Sequence, residues 1–284
     1  MTVEIAWEDR DAANARGGEA GQGAAAGTVA GMEAGVSEAG RRNVGGKSAA
    51  ETQAMFGAIA RRYDLCNHAL SGGLDLYWRG RAAMELRGMR PRRILDMCCG
   101  TGDLSFAFGR VAPADTRIVG MDFCRPMLDL AQAKAVRQPH RERLEFRFGD
   151  CLAIDLPDRS CELAAVAFGI RNVTDVAAGL RELIRVLTPG GKLIVLEFTE
   201  PKSRVMAPAL RQYLKHVLPA IGRGLSGIAG DAYAYLPKSI SQFAAAHEMP
   251  AHFRAQGLTA VRAVPMTFGL CTMTVGLKPM AQAI

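Results

Sequence analysis

The stretch RRILDMCCGTGDLSFAF, residues 92–108, decides the fold of this chain. Arg93 to Met97 forms an apolar run with basic residues before it and small residues after it, which predicts a short buried strand. Gly100 and Gly102 follow, in a loop whose bare backbone lets a ligand approach closely. Asp103 then opens a helix, with an acidic side chain in its first turn. A strand, a tight glycine loop and a helix in this order predict a nucleotide cradle.

The glycine loop differs from two common phosphate-binding motifs. Position 105 is Ser where the dinucleotide fingerprint has its third glycine, and the loop lacks the lysine of a P-loop. Asp96 at the end of the strand and Asp103 at the start of the helix would repel a pyrophosphate. The same carboxylates would attract the cationic methionyl part of S-adenosylmethionine. The loop therefore favours a methyl donor, with another nucleotide or a purely structural turn as the alternatives.

Beyond this loop, strand-length apolar runs alternate with helical patterns. The predicted strands are Arg117 to Met121, Leu144 to Phe148, Leu163 to Ala167 and Lys192 to Phe198, with helices over 125–136 and 175–187. Residues 259–264 and 268–277 alternate and are joined by a short link, which predicts an antiparallel hairpin. Helical spacing from about residue 49 predicts extra helices before the first strand. The chain is therefore expected to be α/β, with a doubly wound, mostly parallel, seven-stranded sheet that ends in an antiparallel hairpin.

The composition divides the chain into a tail and one domain. Residues 1–47 include a long Ala/Gly-rich stretch without hydrophobic periodicity, which predicts a disordered tail. Residues 48–284 then form the folded domain. Within 203–228, apolar side chains cluster on one side of a helical wheel, and Pro208 and Pro219 limit the helix to about three turns. This helix either faces the core or serves as a lid or membrane-touching face.

Charge and cysteine content narrow the classes of partner. The net charge of +7 favours an anionic partner such as lipid headgroups, a nucleic acid or an acidic substrate. The basic residues are spread along the chain and only 6% of residues are aromatic, so we expect no nucleic-acid partner. Seven cysteines without a C-x-x-C pair fit reduced thiols in a cytosol and predict no metal site. We find no membrane-spanning run and no secretion signal, so the expected location is cytoplasmic, with contact at a membrane surface left open.

Two strand ends carry candidate binding residues. Asp122 stands twenty residues after Gly102 at the end of the second strand, where a carboxylate can accept hydrogen bonds from both ribose hydroxyls. The alternative is a cap for the next helix. Asp150 follows the third strand and is expected to accept a bond from the adenine amine, with Cys151 supplying a backbone N–H. A turn-forming Asp is the alternative at position 150.

Candidate catalytic residues lie in two further segments. Arg171 and Asn172 follow the fourth strand, where substrate residues normally lie. Arg171 cannot accept a proton at ordinary pH, so we expect it to stabilise an oxyanion, whereas Asn172 can donate and accept. Hydrogen bonds that only stabilise the loop are the alternative. Asp64 and His68 share one helical face at i, i+4, which predicts an acid–base pair, although a lone His is more often structural.

Four segments together resemble a known family. They are YDLCNHALSGGLDLYW at 63–78, LDMCCGTGD at 95–103, AFGIRNVTD at 167–175 and RVLTPGGKLIVLEF at 185–198. Over about residues 50–279 the chain resembles the ubiquinone/menaquinone biosynthesis C-methyltransferases, which are class I S-adenosylmethionine-dependent enzymes. The first and fourth segments together are highly specific, whereas the GTG loop alone is shared with many methyltransferases.

The resemblance implies methyl transfer from S-adenosylmethionine, without a metal, to a ring carbon of a polyprenylated quinol, such as demethylmenaquinol. It puts Thr101, Asp122, Asp150 and Cys151 at cofactor positions. The chain departs from the family at Asp150, where Asn is usual, and at Ala167, where many members have a cofactor-contacting Ser. Asp64 or His68 is the expected proton acceptor.

Several alternatives stay open beside this expectation. A hydrophobic groove built from 203–236 would take the prenyl tail, but the sequence does not choose between a naphthoquinol and a benzoquinol. The chain could also methylate another lipophilic aromatic molecule or act as a non-catalytic scaffold for quinone enzymes. Its oligomeric state is not readable from the sequence.

Overall fold

A mixed sheet forms the centre of the computed structural model, which describes residues 42–201, 208, 212, 230–246 and 248–280. Its strands are β1 (Arg93–Met97), β2 (Arg117–Asp122), β3 (Leu144–Phe148), β4 (Cys161–Ala167), β5 (Leu187–Phe198), β6 (Thr259–Met266) and β7 (Cys271–Leu277). They lie in the order β3-β2-β1-β4-β5-β7-β6. The first five pair in parallel, and β7 pairs antiparallel with β5 and β6. The predicted seven-stranded, mostly parallel sheet is confirmed.

Helices cover both faces of this sheet. They are α1 (Ala49–Ser71), α2 (Leu74–Ala83), α3 (Asp103–Val111), α4 (Arg125–Ala135), α5 (Val176–Val186), α6 (Gly230–Ala246) and α7 (Met249–Ala255). The strand order reverses between β1 and β4, so the loops that follow these strands diverge and leave a crevice at their carboxyl ends. No helix of the described part of the chain is both long and apolar enough to cross a membrane.

Neighbouring side chains of β1 pack into two separate hydrophobic cores, one on each face of the sheet, as expected for a strand buried on both faces. Ile94 packs with Trp78 of α2 and Phe108 of α3 on one side. Leu95 packs on the other side with the apolar faces of α5, α6 and α7, including Phe253. All of these side chains are at most 2% exposed. The sheet is therefore held between two apolar layers, and the strand ends are left free to carry polar groups.

The helix α1 is defined at both ends by local hydrogen bonding. Its N-cap, Ser48, accepts from the Glu51 N–H, while the Glu51 side chain accepts from the Ser48 N–H. This reciprocal capping box satisfies two otherwise unpaired backbone donors. Gly72 ends the helix at φ 59°, a conformation that glycine adopts without steric cost. The start and end of α1 are thus set by its own sequence.

The folded part begins earlier than the expected boundary at residue 48. Asn43 is 4% exposed and donates through Nδ2 to Thr52 Oγ1 at 3.1 Å. A Cβ atom on Gly45 would lie 2.2 Å from the ring of Tyr235. These residues carry no hydrophobic period, so their burial could not be predicted from the sequence. Most of the predicted insertion at 203–236, including the three-turn helix expected in 203–228, lies outside the described residues.

The C-terminal hairpin also differs in detail from its prediction. Strand β7 begins at Cys271, because the 3-10 turn Thr267–Gly269 occupies the residues expected to start it. The outer strand β6 has a register shift between Thr259 and Arg262, and Pro265 lies within it. At the opposite edge, β3 carries the paired charges of Glu145 and Arg147. Both edges of the sheet are therefore irregular or charged.

Candidate active site

A pocket of about 810 Å³, counting its part open to solvent, lies where β1 to β4 end. Its wall includes Cys98 and Gly100 after β1, residues 122–124 after β2, residues 150–152 after β3 and residues 167–169 and 172–174 after β4. Helix α1 adds Ala49, Phe56 and Tyr63 from across the opening. The crevice expected at the reversal of strand order is thus present and partly covered by α1.

The predicted site residues divide into two groups around this pocket. Those that line it are Gly100, Asp122, Asp150, Cys151, Ala167 and Asn172. Those that do not line it are Asp64, His68, Asp96, Thr101, Gly102 and Arg171. The residues of the second group contact other elements of the fold.

Asp122 links two of the loops that form the pocket. Its Oδ2 accepts from the Gly100 N–H at 2.8 Å and its Oδ1 from the Cys124 N–H at 2.8 Å. Burial raises its pKa to about 6, although these backbone donors favour the ionised form. Each carboxylate oxygen retains a second lone pair. Asp122 can therefore stabilise the glycine loop and still accept hydrogen bonds from a ligand.

Asp150 is in a turn and in the pocket wall at once. Its Oδ1 accepts from the Leu152 N–H at 2.9 Å, which is the turn-forming contact weighed as the alternative. Burial raises its pKa. The neighbouring Cys151 thiol and burial raise the pKa of Cys98 well above its ordinary value. The Cys98 thiol therefore fills space in the wall as a neutral group.

Asp96 lies beneath the glycine loop and not in the pocket wall. Side chains alternate along a strand, and Asp96 points toward α3, where Ser105 Oγ donates to its Oδ2 at 2.6 Å. It is 1% exposed, and burial raises its pKa to about 7. Gly102 is required by packing, because a Cβ atom there would lie 2.9 Å from the rings of Phe106 and Phe146. Asp96 itself does not line the pocket, and its place beside the ligand stays a prediction.

Asp64 joins α1 to the glycine loop and to α4. Thr101 Oγ1 donates to Asp64 Oδ1, and Lys134 Nζ donates to Asp64 Oδ2 at 2.7 Å and to Asp103 Oδ1 at 2.6 Å. We call these four residues, Asp64, Thr101, Asp103 and Lys134, the α1 clasp. Because Asp103 is ion-paired, its charge is not free to attract a cationic ligand as the sequence suggested. The clasp instead holds Tyr63 of α1 beside the pocket.

His68 pairs with α2 and not with Asp64. Its Nδ1 lies 2.9 Å from Asp75 Oδ2, and Asp75 also accepts from Arg79 at 2.6 Å and from Ser71 at 2.8 Å. Burial alone would raise the pKa of Asp75, but the Ser71 hydrogen bond and the Arg79 charge lower it. The predicted Asp64–His68 pair does not form. Shared helical spacing puts both residues on one face, but partners on α2 and α4 draw the two side chains apart.

Three possible metal-ligand atoms, on His68, Asp75 and Asp103, lie within 4.8 Å of one another. Arg79 pairs with Asp75, and Lys134 pairs with Asp103. These two cations already neutralise the carboxylates. The arrangement is an ion-pair network that joins α1, α2, α3 and α4.

Arg171 lies behind the pocket wall in a buried ion pair. Its Nη1 donates to Glu197 Oε1 at 2.7 Å and to the Phe168 carbonyl at 2.6 Å. The adjacent Asn172 does line the pocket, and its Oδ1 accepts from the Tyr235 hydroxyl at 2.9 Å. Sequence reasoning missed Glu197 and Tyr235. The one signal for Glu197 was an acidic residue inside the apolar run LIVLEF.

The strand order and the pocket at the strand ends are those of the class I S-adenosylmethionine-dependent methyltransferase fold. Two solved structures are similar to it at low sequence identity, so they bear on the fold alone. The [4+2]-cyclase SpnF matches with a TM-score of 0.55 and 15% identity, over 81% of this chain and 97% of that chain. A Methanococcus maripaludis protein assigned to the S-adenosyl-L-methionine-dependent methyltransferases matches with a TM-score of 0.53 and 16% identity, over 79% and 94%.

Sequence relatives identify the family within this class. The ubiE/COQ5 methyltransferase family matches residues 45–278, and the chain belongs to this family. It is 46% identical over 229 residues to the demethylmenaquinone methyltransferase of Deinococcus radiodurans, covering 80% of this chain and 92% of the relative. It is 43% identical to the enzyme of the same name from Thermus thermophilus, over 79% and 100%. The ubiquinone/menaquinone biosynthesis C-methyltransferase UbiE of Geobacter sulfurreducens is 39% identical, over 79% and 87%.

Proposed function

We propose that this chain transfers a methyl group from S-adenosylmethionine to a ring carbon of a polyprenylated quinol. The reaction serves menaquinone biosynthesis, from demethylmenaquinol to menaquinol, or ubiquinone biosynthesis, or both. The observation that carries the proposal is the pocket at the ends of β1 to β4, in a chain whose relatives are named for these pathways.

The pocket residues fit this methyl donor. Gly100, at φ 55°, presents bare backbone, and the position of its missing Cβ lies 3.9 Å from the Tyr63 ring. Asp122 offers lone pairs to the ribose hydroxyls, and Asp150 with the Cys151 N–H serves the adenine. When bound, the sulfonium supplies an electrophilic methyl group. Ala167 lines the same pocket beside these residues.

The polar groups after β4 are suited to the quinol oxygen. A ring carbon becomes nucleophilic when the neighbouring hydroxyl loses its proton, so the site must stabilise an oxyanion. Asn172 Oδ1 is occupied by the Tyr235 hydroxyl, which leaves its Nδ2 amide as the group that donates to the oxyanion. Arg171 lies behind Asn172 in an ion pair with Glu197, and its own role at the oxyanion stays a prediction. Neither Asp64 nor His68 lines the pocket. Either side chain would therefore accept the proton of the quinol hydroxyl through a bridging water molecule.

An exposed apolar patch suggests how the chain meets a lipophilic substrate. Leu76 and Tyr77 of α2 are about half exposed, at 49% and 54%, and Phe268 in the turn after β6 is 77% exposed. Trp78 Nε1 donates to Thr267 Oγ1 at 2.8 Å, which brings α2 and this turn together. We propose that this patch, Leu76, Tyr77 and Phe268, contacts the inner face of the cell membrane. Exposed apolar side chains on a protein of net positive charge favour binding to an anionic bilayer surface.

Flotation with vesicles tests the membrane contact. Vesicles rich in phosphatidylglycerol should capture the wild-type chain, and Phe268→Ser should reduce the bound fraction about three- to tenfold through lost apolar contact. Val136→Ser is the matched control, because Val136 is an exposed apolar residue at the end of α4. Equal capture of wild type and Phe268→Ser would remove the patch from membrane binding.

One assay tests the reaction itself. The purified chain is incubated with methyl-labelled S-adenosylmethionine and, separately, a demethylmenaquinol, a demethoxy-type benzoquinol and a panel of phenols. Label should enter a prenylated quinol, and the relative rates decide between the naphthoquinol and the benzoquinol. Transfer to simple phenols alone would favour another aromatic substrate. Binding of the donor without any transfer would favour a non-catalytic member.

A further inference from the structure

The ion pair between Arg171 and Glu197 is buried behind the pocket wall. The two side chains are 5% and 3% exposed, and Nη1 lies 2.7 Å from Oε1. Removing both charges from water carries a desolvation cost that their attraction offsets only in part. An apolar pair of similar volume would fill the same space without that cost. The pair therefore calls for an explanation other than stability.

The hydrogen bonds of the pair connect the end of β5 to the turn after β4. Arg171 Nη1 donates to the Phe168 carbonyl at 2.6 Å, and Glu197 Oε1 accepts from the Phe198 N–H at 2.9 Å. The rings of Phe168 and Phe198 lie 4.6 Å apart, and the guanidinium carbon lies 5.4 Å from the Phe198 ring centre. One carboxylate oxygen thus fixes both the guanidinium and the strand end.

The turn held in this way has little freedom. Phe168 has φ 59°, a left-handed conformation that L side chains rarely adopt. The next residue, Gly169, packs so closely that a Cβ atom on it would lie 2.3 Å from Cys98 Cβ. Such backbone persists only where its surroundings determine it. The 3-10 turn Ile170–Asn172 follows directly and carries Asn172 into the pocket wall.

We propose that Glu197 is a positioning residue for methyl transfer, because it holds Arg171 and the turn at 168–172 so that Asn172 faces the reacting quinol. This inference rests on the proposed function. Glu197 lies outside the pocket wall and acts only through its neighbours. Its Oε1 accepts from Arg171 and from the Phe198 N–H together, and both contacts favour the ionised carboxylate. Its Oε2 and Arg171 Nε have no hydrogen-bond partner among the described residues.

Two substitutions separate the charge of the Glu197 side chain from its length. Glu197→Gln keeps the length of the side chain but leaves Arg171 as an unpaired buried cation. Glu197→Asp keeps the charge but shortens the side chain by one methylene, so it cannot serve both donors. Each should lower kcat for the quinol about 10- to 100-fold, because small displacements of positioning groups have costs of this size. The dissociation constant for S-adenosylmethionine should stay within about twofold, because Glu197 lies outside the pocket wall.

Glu85, in the 3-10 turn Met84–Leu86, supplies a matched control. Its side chain accepts from Lys192 Nζ of β5 at 3.3 Å and pairs with Arg262 of β6. Glu85→Gln should lower the unfolding midpoint and leave kcat unchanged. Calorimetry with S-adenosylmethionine, thermal unfolding and separate kcat and KM values are measured for all three variants.

The outcomes are distinct. A fall in kcat for both Glu197 variants, with retained donor binding and unchanged kcat in Glu85→Gln, supports the positioning role. If Glu197→Gln does not fold, Glu197→Asp decides alone, since it preserves the ion pair's charge. A kcat within about twofold of wild type in a folded Glu197 variant overturns the inference while the proposed function stands. Absence of quinol turnover in wild type overturns the proposed function, and the positioning role falls with it.

Discussion

Replacing Asp122 by asparagine tests how the pocket recognises its ligand. The carboxylate accepts from the Gly100 and Cys124 N–H groups, both at 2.8 Å. An amide has a single oxygen, so one of these donors would meet an NH₂ group, and a ligand hydroxyl would lose a charged acceptor. The loss of one such hydrogen bond costs about 1–3 kcal/mol. We therefore expect Asp122→Asn to weaken S-adenosylmethionine binding about 5- to 150-fold, at 1.4 kcal/mol per tenfold.

The raised pKa of Asp122 adds a pH signature to the same experiment. Burial raises this pKa to about 6 in the free protein, and ribose hydroxyls bind the ionised form. Affinity should therefore rise with pH and level off above about 7. Between pH 7 and pH 5 the ionised fraction falls about tenfold, so the dissociation constant should rise by about the same factor. Asp122→Asn should lack this change.

Titration calorimetry at pH 5, 6, 7 and 8 measures both effects. Asp115→Asn is the control, because Asp115 is an exposed carboxylate in the turn after α3. Thermal unfolding of each variant separates loss of affinity from loss of fold. An unchanged affinity in Asp122→Asn at pH 8, or a wild-type affinity that does not vary across this range, would refute the assignment of Asp122 to ligand binding.

Two further substitutions test the structure around the pocket. Lys134→Met leaves Asp64 and Asp103 without their shared cation, so trypsin should cleave α1 faster and unfolding should require about 1–2 kcal/mol less; unchanged proteolysis would show that the clasp does not hold α1. Gly120→Ala puts a Cβ atom 2.6 Å from the Phe146 ring and should cost about 1–3 kcal/mol in urea unfolding. Gly80→Ala, in open space on α2, should cost nothing, and equal effects of the two would contradict the packing argument.

Local patterns were sufficient to predict the sheet and the pocket. The run before Gly100 reads as a strand because its apolar residues are buried on both faces, and β1 lies where it was expected. Asp122 and Asp150 could be predicted to lie at one pocket because the carboxyl ends of parallel strands meet at one edge of a sheet, and both line it. These inferences depend on periodicity and on topology rules, which a single sequence contains.

Contacts between distant elements could not be predicted in the same way. Lys134 meets Asp64 across 70 residues, and Arg171 meets Glu197 across 26. Helical spacing correctly placed Asp64 and His68 on one helix, but the helix alone does not determine which partner each side chain takes. Charged residues have many possible partners in an unfolded chain, and only the packed structure selects one.

The two outer strands of the sheet bear on how the protein behaves at high concentration. An open sheet offers unpaired backbone groups to other chains at each margin, which is how many proteins polymerise. Here Pro265 removes a donor from one margin and a register shift distorts it, while Glu145 and Arg147 place charges on the other. Edge-to-edge pairing of strands from different copies is therefore disfavoured at both edges of the sheet. Concentrated samples should resist fibril formation, and substitutions at these four features are the ones that would remove that resistance.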